Sequence, residues 1–262
     1  MDMKEYSHIH LTTFDRGPRP SNAGPHKKTT SGLPILLILV MVIALLAPAG
    51  CSGRDPATPV DAAEVLRSAI EPMKIASSFH FSYAVTKPQG SKPPQGTEIV
   101  SIVGDVSLEG SMKATVDLNQ SGVPLQFQFV ATEDIHYVQN PTSQKWQSVP
   151  ADLSPIGRIN LSSGAVQILE QVRHAKYIST KKIGGVMCYE VEGSVAATDI
   201  ADIVASANAT TDLHCVIWIG VDDRLLHRIQ LTGAAEVDED PRVLRTIELS
   251  RFDEPLVIEV PQ

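Results

Sequence analysis

Three stretches of this 262-residue chain alternate apolar and polar residues over most of their length. "FHFSYAV" places Phe79, Phe81, Tyr83 and Val85 on one side. "MKATVDL" sets Met112, Ala114, Val116 and Leu118 against Lys113, Thr115 and Asp117, and "LQFQFVA" sets Leu125, Phe127 and Phe129 against Gln126 and Gln128. A period of two belongs to a β-strand with one buried and one wet face. Repeated in successive runs, it calls for an antiparallel sheet whose two faces differ.

The segments between these runs fit that plan. Gly110, "NQSGVP" at 119–124, "KIGGV" at 182–186 and "GVDDRL" at 220–225 read as turns, and Gly184-Gly185 suits a two-residue hairpin. Residues 60–75 read as a helix, with Val65, Leu66, Ala69, Ile70 and Met73 along one side, Asp61 as its cap and Pro72 bending or ending it. Residues 162–172 read as a second helix capped by Ser162 or Ser163, and 198–206 as a third, short one. The remainder, 174–196, 212–233 and 242–260, is strand and hairpin. The fold class expected is α+β, mainly β.

The N-terminal segment has a different character. Residues 33–47, "LPILLILVMVIALLA", carry no charge and follow a basic flank that includes Lys27 and Lys28. As a helix they span about 22 Å, short of a hydrocarbon core of about 30 Å. Small residues and Cys51 come next, so residues 1–50 read as a signal peptide. "PAGC" resembles the lipobox of bacterial lipoproteins, with Pro48 where that motif usually has Leu. The resemblance implies that Cys51 carries diacylglyceryl and acyl chains such as palmitate, and that 51–60 is a lipidated tether reaching about 30 Å at most. An ordinary signal peptide or an uncleaved anchor is the alternative. The rest, 61–262, has the length of a single domain.

From Cys51 onward the chain has 17 basic and 27 acidic residues, which argues against nucleic acid as a partner. No nucleophile elbow, zinc-binding H-E-x-x-H, phosphate-binding loop or C-x-x-C occurs, so neither an enzyme nor a metal or cofactor is expected. His136 and His227 read as partly exposed strand residues, and "DED" at 238–240 as a solvated loop. Cys188 and Cys215 lie in alternating strands. In an oxidising compartment they are expected to form a disulfide, two buried free thiols being the alternative.

Four stretches taken in order carry a wider resemblance: "VSIVGDVSLEGSMKATVDL", "GGVMCYEVEGSV", "CVIWIGVDDRLLHRIQLTG" and "SRFDEPLVIEVP". Together, behind a lipobox, they resemble the LppX/LprAFG family of actinobacterial lipoproteins. The resemblance implies a strongly curved antiparallel sheet, an open half barrel like that of LolA and LolB, with helices on its concave face. It further implies an apolar cavity for the acyl chains of lipids or glycolipids. On that reading the protein sits at the extracytoplasmic face of the cell membrane, held by its lipid anchor, and carries lipids across the envelope with a membrane transporter as a further partner. Phe79, Phe81, Tyr83, Met112, Ala114, Val116, Leu125, Phe127 and Phe129 are the expected cavity residues, a dry core being the alternative for each. Two other readings stand beside it: a scaffold or binding lipoprotein without a lipid cavity, and an envelope hydrolase with an unrecognised site.

Overall fold

The computed structural model describes residues 59–91, 97–107, 110–132, 135–151, 154, 161–201, 203–204 and 207–261. Expectations for residues 1–58, Cys51 among them, lie outside the described residues. Helix α1, Ala62–Ile75, starts where Asp61 accepts hydrogen bonds from the Ala63 and Glu64 amides. Its buried stripe is Ala62, Val65, Leu66, Ala69 and Met73. Pro72 sits inside it, and the helix ends three residues later at Ile75, with the Ala76 amide donating to the Pro72 carbonyl. Helix α2, Leu161–Gln171, begins one residue before the serines expected to cap it, so Ser162 and Ser163 fall in its first turn. The third expected helix is shorter than its sequence suggested, a single 3-10 turn at Ala197–Ile200.

The eleven strands of the described residues join one antiparallel sheet. The first meander is β1 (Ser78–Thr86), β2 (Thr97–Ser107), β3 (Met112–Gln120), β4 (Val123–Ala131), β5 (Ile135–Gln139) and β6 (Trp146–Pro150). The second is β7 (Arg173–Ile183), β8 (Val186–Ala196), β9 (Asp212–Gly220), β10 (Leu226–Thr232) and β11 (Leu244–Ser250). In space the order is β6-β5-β4-β3-β2-β1-β11-β10-β9-β8-β7, so the first and last strands meet in the middle. The hairpins use the expected turns. Ser121-Gly122 and Gly184-Gly185 all have positive φ, the geometry whose twist matches that of the strands it joins.

The sheet is curved, and its two faces separate cleanly. Inward along the central strands point Phe81, Tyr83, Ile247, Ile229, Ile217 and Val191, each nearly or fully buried. Helices α1 and α2 pack on each other and over β7, β8 and β9 on this concave side. Outward, Trp218 lies beneath Lys181 and Arg228, whose cationic groups stand 5.2 Å and 5.7 Å from its ring.

The same register overturns the expected disulfide. Strands β8 and β9 are neighbours, but Cys188 stands opposite Gly220 and Cys215 opposite Gly193. Five residues of strand, about 17 Å, therefore separate them, and an odd offset sends their side chains to opposite faces. A disulfide needs Cα atoms within about 7 Å. Both thiols are free and buried. Burial pushes Cys188 up to about 11 and Cys215 up to about 12, with the carboxylates of Asp223 and Glu192 adding to the respective rises. Thiols held protonated in this way are poor nucleophiles. Alkylation should therefore modify neither cysteine in the native protein and both in urea without reductant. Adducts that need prior reduction would contradict this register.

Candidate functional site

The concave face is built in rows that cross the strands. One row runs Phe81, Gly104, Ala114, Phe129 and Val138 over β1 to β5. Two of its five members have almost no side chain, and both stand between phenylalanines. The middle of the row is thus Gly104 and Ala114 between Phe81 and Phe129, all four buried. Gly104 is required there: a Cβ would collide with the Lys113 carbonyl oxygen and stand 2.8 Å from Cα and Cβ of Ala114. The row on one side is Tyr83, Ile102, Val116 and Phe127; on the other it is Phe79, Val106, Met112, Ala131 and His136.

All nine residues expected from the sequence share this face. Phe79, Phe81, Tyr83, Met112, Ala114, Val116, Phe127 and Phe129 are buried, and Leu125 is half-buried beside Leu118. Alternation missed Gly104, Ile102 and Val106 because β2 carries a bulge. Ile99 pairs with Leu118 and Ser101 with Asp117, which leaves Val100 as an extra residue and breaks the period. A cleft of about 360 Å³ near the β3–β4 turn is lined by Val100, Asp117, Asn119, Pro124 and Gln126, with Leu118 and Leu125. Most of these residues point outward, so this cleft is separate from the row of Gly104 and Ala114.

Two polar groups interrupt the apolar face. Arg245 of β11 is 3% exposed, and its Nη2 donates to Glu239 Oε1 at 2.7 Å. The other Glu239 oxygen accepts from the amides of Ala235 and Glu236 at 2.9 Å and 3.2 Å. Glu239 is thus no part of a solvated acidic loop; it fastens residues 233–243 onto the sheet. Tyr83 lies beside Arg245, and burial raises its phenol pKa against the pull of that guanidinium. The second group is His136, which the sequence had placed as partly exposed. It is 8% exposed and set edge-on against Phe129, with ring centroids 5.1 Å apart. Desolvation lowers its pKa, which favours the neutral ring.

Among the described residues no group of His, Cys, Asp or Glu side chains could hold a metal ion. A Cys188, His227 and Asp223 grouping near Gly220 has the residue types of a nucleophilic triad. His227 Nε2 is engaged by Asp223 Oδ2 at 2.9 Å, and the buried thiol is held protonated, so the arrangement offers no activated sulfur.

A curved antiparallel sheet with an apolar concave face, overlain at one wing by two helices, defines a half-barrel domain. The LppX_LprAFG lipoprotein family matches residues 61–258, and the chain belongs to that family. A curated relative is the lipoarabinomannan carrier protein LprG of Mycobacteroides abscessus, 24% identical over 230 residues, which cover 86% of this chain and 96% of that protein. Among solved structures, LprF from Mycobacterium bovis matches with a TM-score of 0.61 and 20% identity, over 78% of this chain and 98% of that one. LppX from Mycobacterium tuberculosis matches with a TM-score of 0.56 and 18% identity, over 76% of this chain and 98% of that one.

The buried pair gives a stability test. Replacing Glu239 with Ala leaves the Arg245 charge buried without its partner, which should cost about 3–5 kcal/mol. The urea midpoint of the variant reads this directly, and a loss below about 1 kcal/mol would contradict the role assigned to the pair.

Proposed function

We propose that the protein is a lipid-anchored carrier at the extracytoplasmic face of the membrane, binding lipid acyl chains against its concave face and moving lipids or lipidated molecules through the envelope. The observation that carries this reading is an apolar concave face with the small residues Gly104 and Ala114 set between Phe81 and Phe129, in a domain similar to a named lipoarabinomannan carrier. The cavity lies between the β2–β5 wing and the helical layer over β7 to β9. Phe79, Phe81, Tyr83, Met112, Ala114, Val116, Leu125, Phe127 and Phe129 line it. Cys51 carries the lipid anchor, and residues 51–60 are the tether.

The energetics suit transport. Exposing a chain of about 16 carbons to water costs on the order of 12 kcal/mol at about 0.8 kcal/mol per CH₂. Moving it from bilayer to apolar cavity leaves it out of water at both ends, so the barrier falls and the lipid is not trapped.

Ala114→Trp tests the cavity. If the proposed cavity borders Ala114, the indole should reduce uptake of a fluorescent diacyl lipid at least about tenfold and leave the thermal midpoint near that of the wild type. If 114 sits instead in a dry core, the indole overpacks it and costs about 1–3 kcal/mol. Marked destabilisation, with no lipid taken up by the wild type either, would sink the proposal. Cys51→Ala tests the anchor: the variant should leave the membrane fraction or persist as an uncleaved precursor. A processed variant still bound to membranes would contradict the assignment of Cys51.

A further inference from the structure

We infer that the outward cleft beside the β3–β4 turn binds a neutral sugar ring, either free or as the glycan of a glycolipid. The cleft lies on the convex face, so this goes beyond the carrier function proposed above and does not depend on it. Its volume of about 360 Å³ falls at the small end of the roughly 300–1,000 Å³ usual for small-molecule sites. Three adjacent strands build it. Asp117 of β3 stands between Ser101 of β2 and Gln126 of β4, and Asn119 stands opposite Pro124. The bulge in β2 adds Val100, 43% exposed, as an apolar side.

The polar groups of the cleft are held in place without being used up. Asp117 Oδ2 accepts from Ser101 Oγ and Oδ1 from Gln126 Nε2, both at 2.7 Å. Asn119 Oδ1 accepts from the Gly122 amide at 2.7 Å. A carboxylate offers about four acceptor positions, and a primary amide two donors and an acceptor. Among the described residues, each Asp117 oxygen therefore keeps acceptor capacity, Gln126 keeps its carbonyl, and the Asn119 amide keeps both N–H groups. In the next row, Thr115 and Gln128 bond to each other instead.

Charge selects among ligands. No lining residue is cationic, and Glu98, opposite Asn119 on β2, is already paired with Lys87. A phosphate or carboxylate would meet the Asp117 charge with nothing in the cleft to offset it. A wholly apolar ligand would cover the carboxylate and both amides without replacing their water. What fits has hydroxyls that both donate and accept, on a body with C–H faces to lie against Val100 and Pro124. A neutral sugar ring carries both on adjacent carbons.

The test starts from simple glycosides. The full chain, purified in a detergent without sugar, is mixed with methyl glucoside, methyl galactoside and methyl mannoside, and saturation transfer to the sugar protons is read by NMR. At least one should bind, and glucose 6-phosphate and glucuronate should bind more weakly than glucose. Asp117→Ala and Asn119→Ala should each cut the affinity about threefold to tenfold, the worth of one or two hydrogen bonds. Gln147→Ala, at an exposed position of β6, should leave it unchanged. Native mass spectrometry with dipalmitoylglycerol and its galactosyl derivative tells the two sources apart. A galactosyl lipid held more tightly than its parent by wild type, but not by Asn119→Ala, supports the cleft as the glycan subsite of a glycolipid. Bound methyl glycosides with no gain from the galactosyl group support a site for free sugar. No sugar-dependent binding in either arm, anionic sugars bound as well as glucose, or binding that survives both substitutions overturns the inference. The glycoside arm reads the cleft even where neither lipid binds, so failure of the carrier function and failure of this site are separate results.

Discussion

The pairing of β1 with β11 is the contact on which the rest of the molecule depends. Seven residue pairs, from His80 with Ser250 to Thr86 with Leu244, join strands that stand at opposite ends of the domain in sequence. Each meander alone is a run of local hairpins with one apolar face and an unpaired edge. Joined, they present one continuous surface, in which Phe81 meets Leu249 and Tyr83 meets Ile247, which in turn meets Ile229. The seam is clamped at one end. Asp253 accepts from the amide and hydroxyl of Ser77 at 2.6 Å and 2.9 Å, and Ser78 donates its hydroxyl to the Glu254 carbonyl at 2.6 Å. Phe252 adds ring contacts with Phe79 and His227. The strand pairing and the clamp together close a long loop, whose entropic cost grows only slowly with its length.

From this seam follows the division of labour between the two wings. Over β7 to β9 the concave face meets the apolar stripe of α1 and the shorter α2. Over β2 to β4 the same face has small residues at its centre and aromatic rings around them. Gly104 lets β2 approach β3 closely, since a Cβ there would collide with the Lys113 carbonyl oxygen and crowd Ala114. The neighbouring row of Tyr83, Ile102, Val116 and Phe127 carries larger side chains at the corresponding positions.

Much of the strand plan was legible because a one-sided sheet writes its faces into the sequence at period two. The nine alternating residues from Phe79 to Phe129 therefore fell on one face, as did both glycine-containing hairpins at their turns. What escaped was everything that depends on register or on distant partners. The extra residue at Val100 broke the alternation of β2 and hid Ile102, Gly104 and Val106. Strand adjacency suggested a Cys188–Cys215 bond, but adjacency does not set the five-residue offset that forbids it. Glu239 looked like part of a solvated acidic run because its partner, Arg245, is reached only across the fold. His136 looked exposed because a short strand such as β5 offers too few residues to declare which side is inward. The helix read over 60–75, with Pro72 bending or ending it, runs to Ile75 with Pro72 inside it.

The central claim is that the concave face holds lipid, and the most direct measurement is the mass of what the folded protein carries. Native mass spectrometry of the full chain, produced in an actinobacterial host and released gently from detergent, should show a non-covalent adduct of the mass of an acyl lipid. Organic extraction should remove it, and incubation with a diacyl lipid should restore it. A spectrum containing only the unliganded mass, both as isolated and after such incubation, would contradict the account.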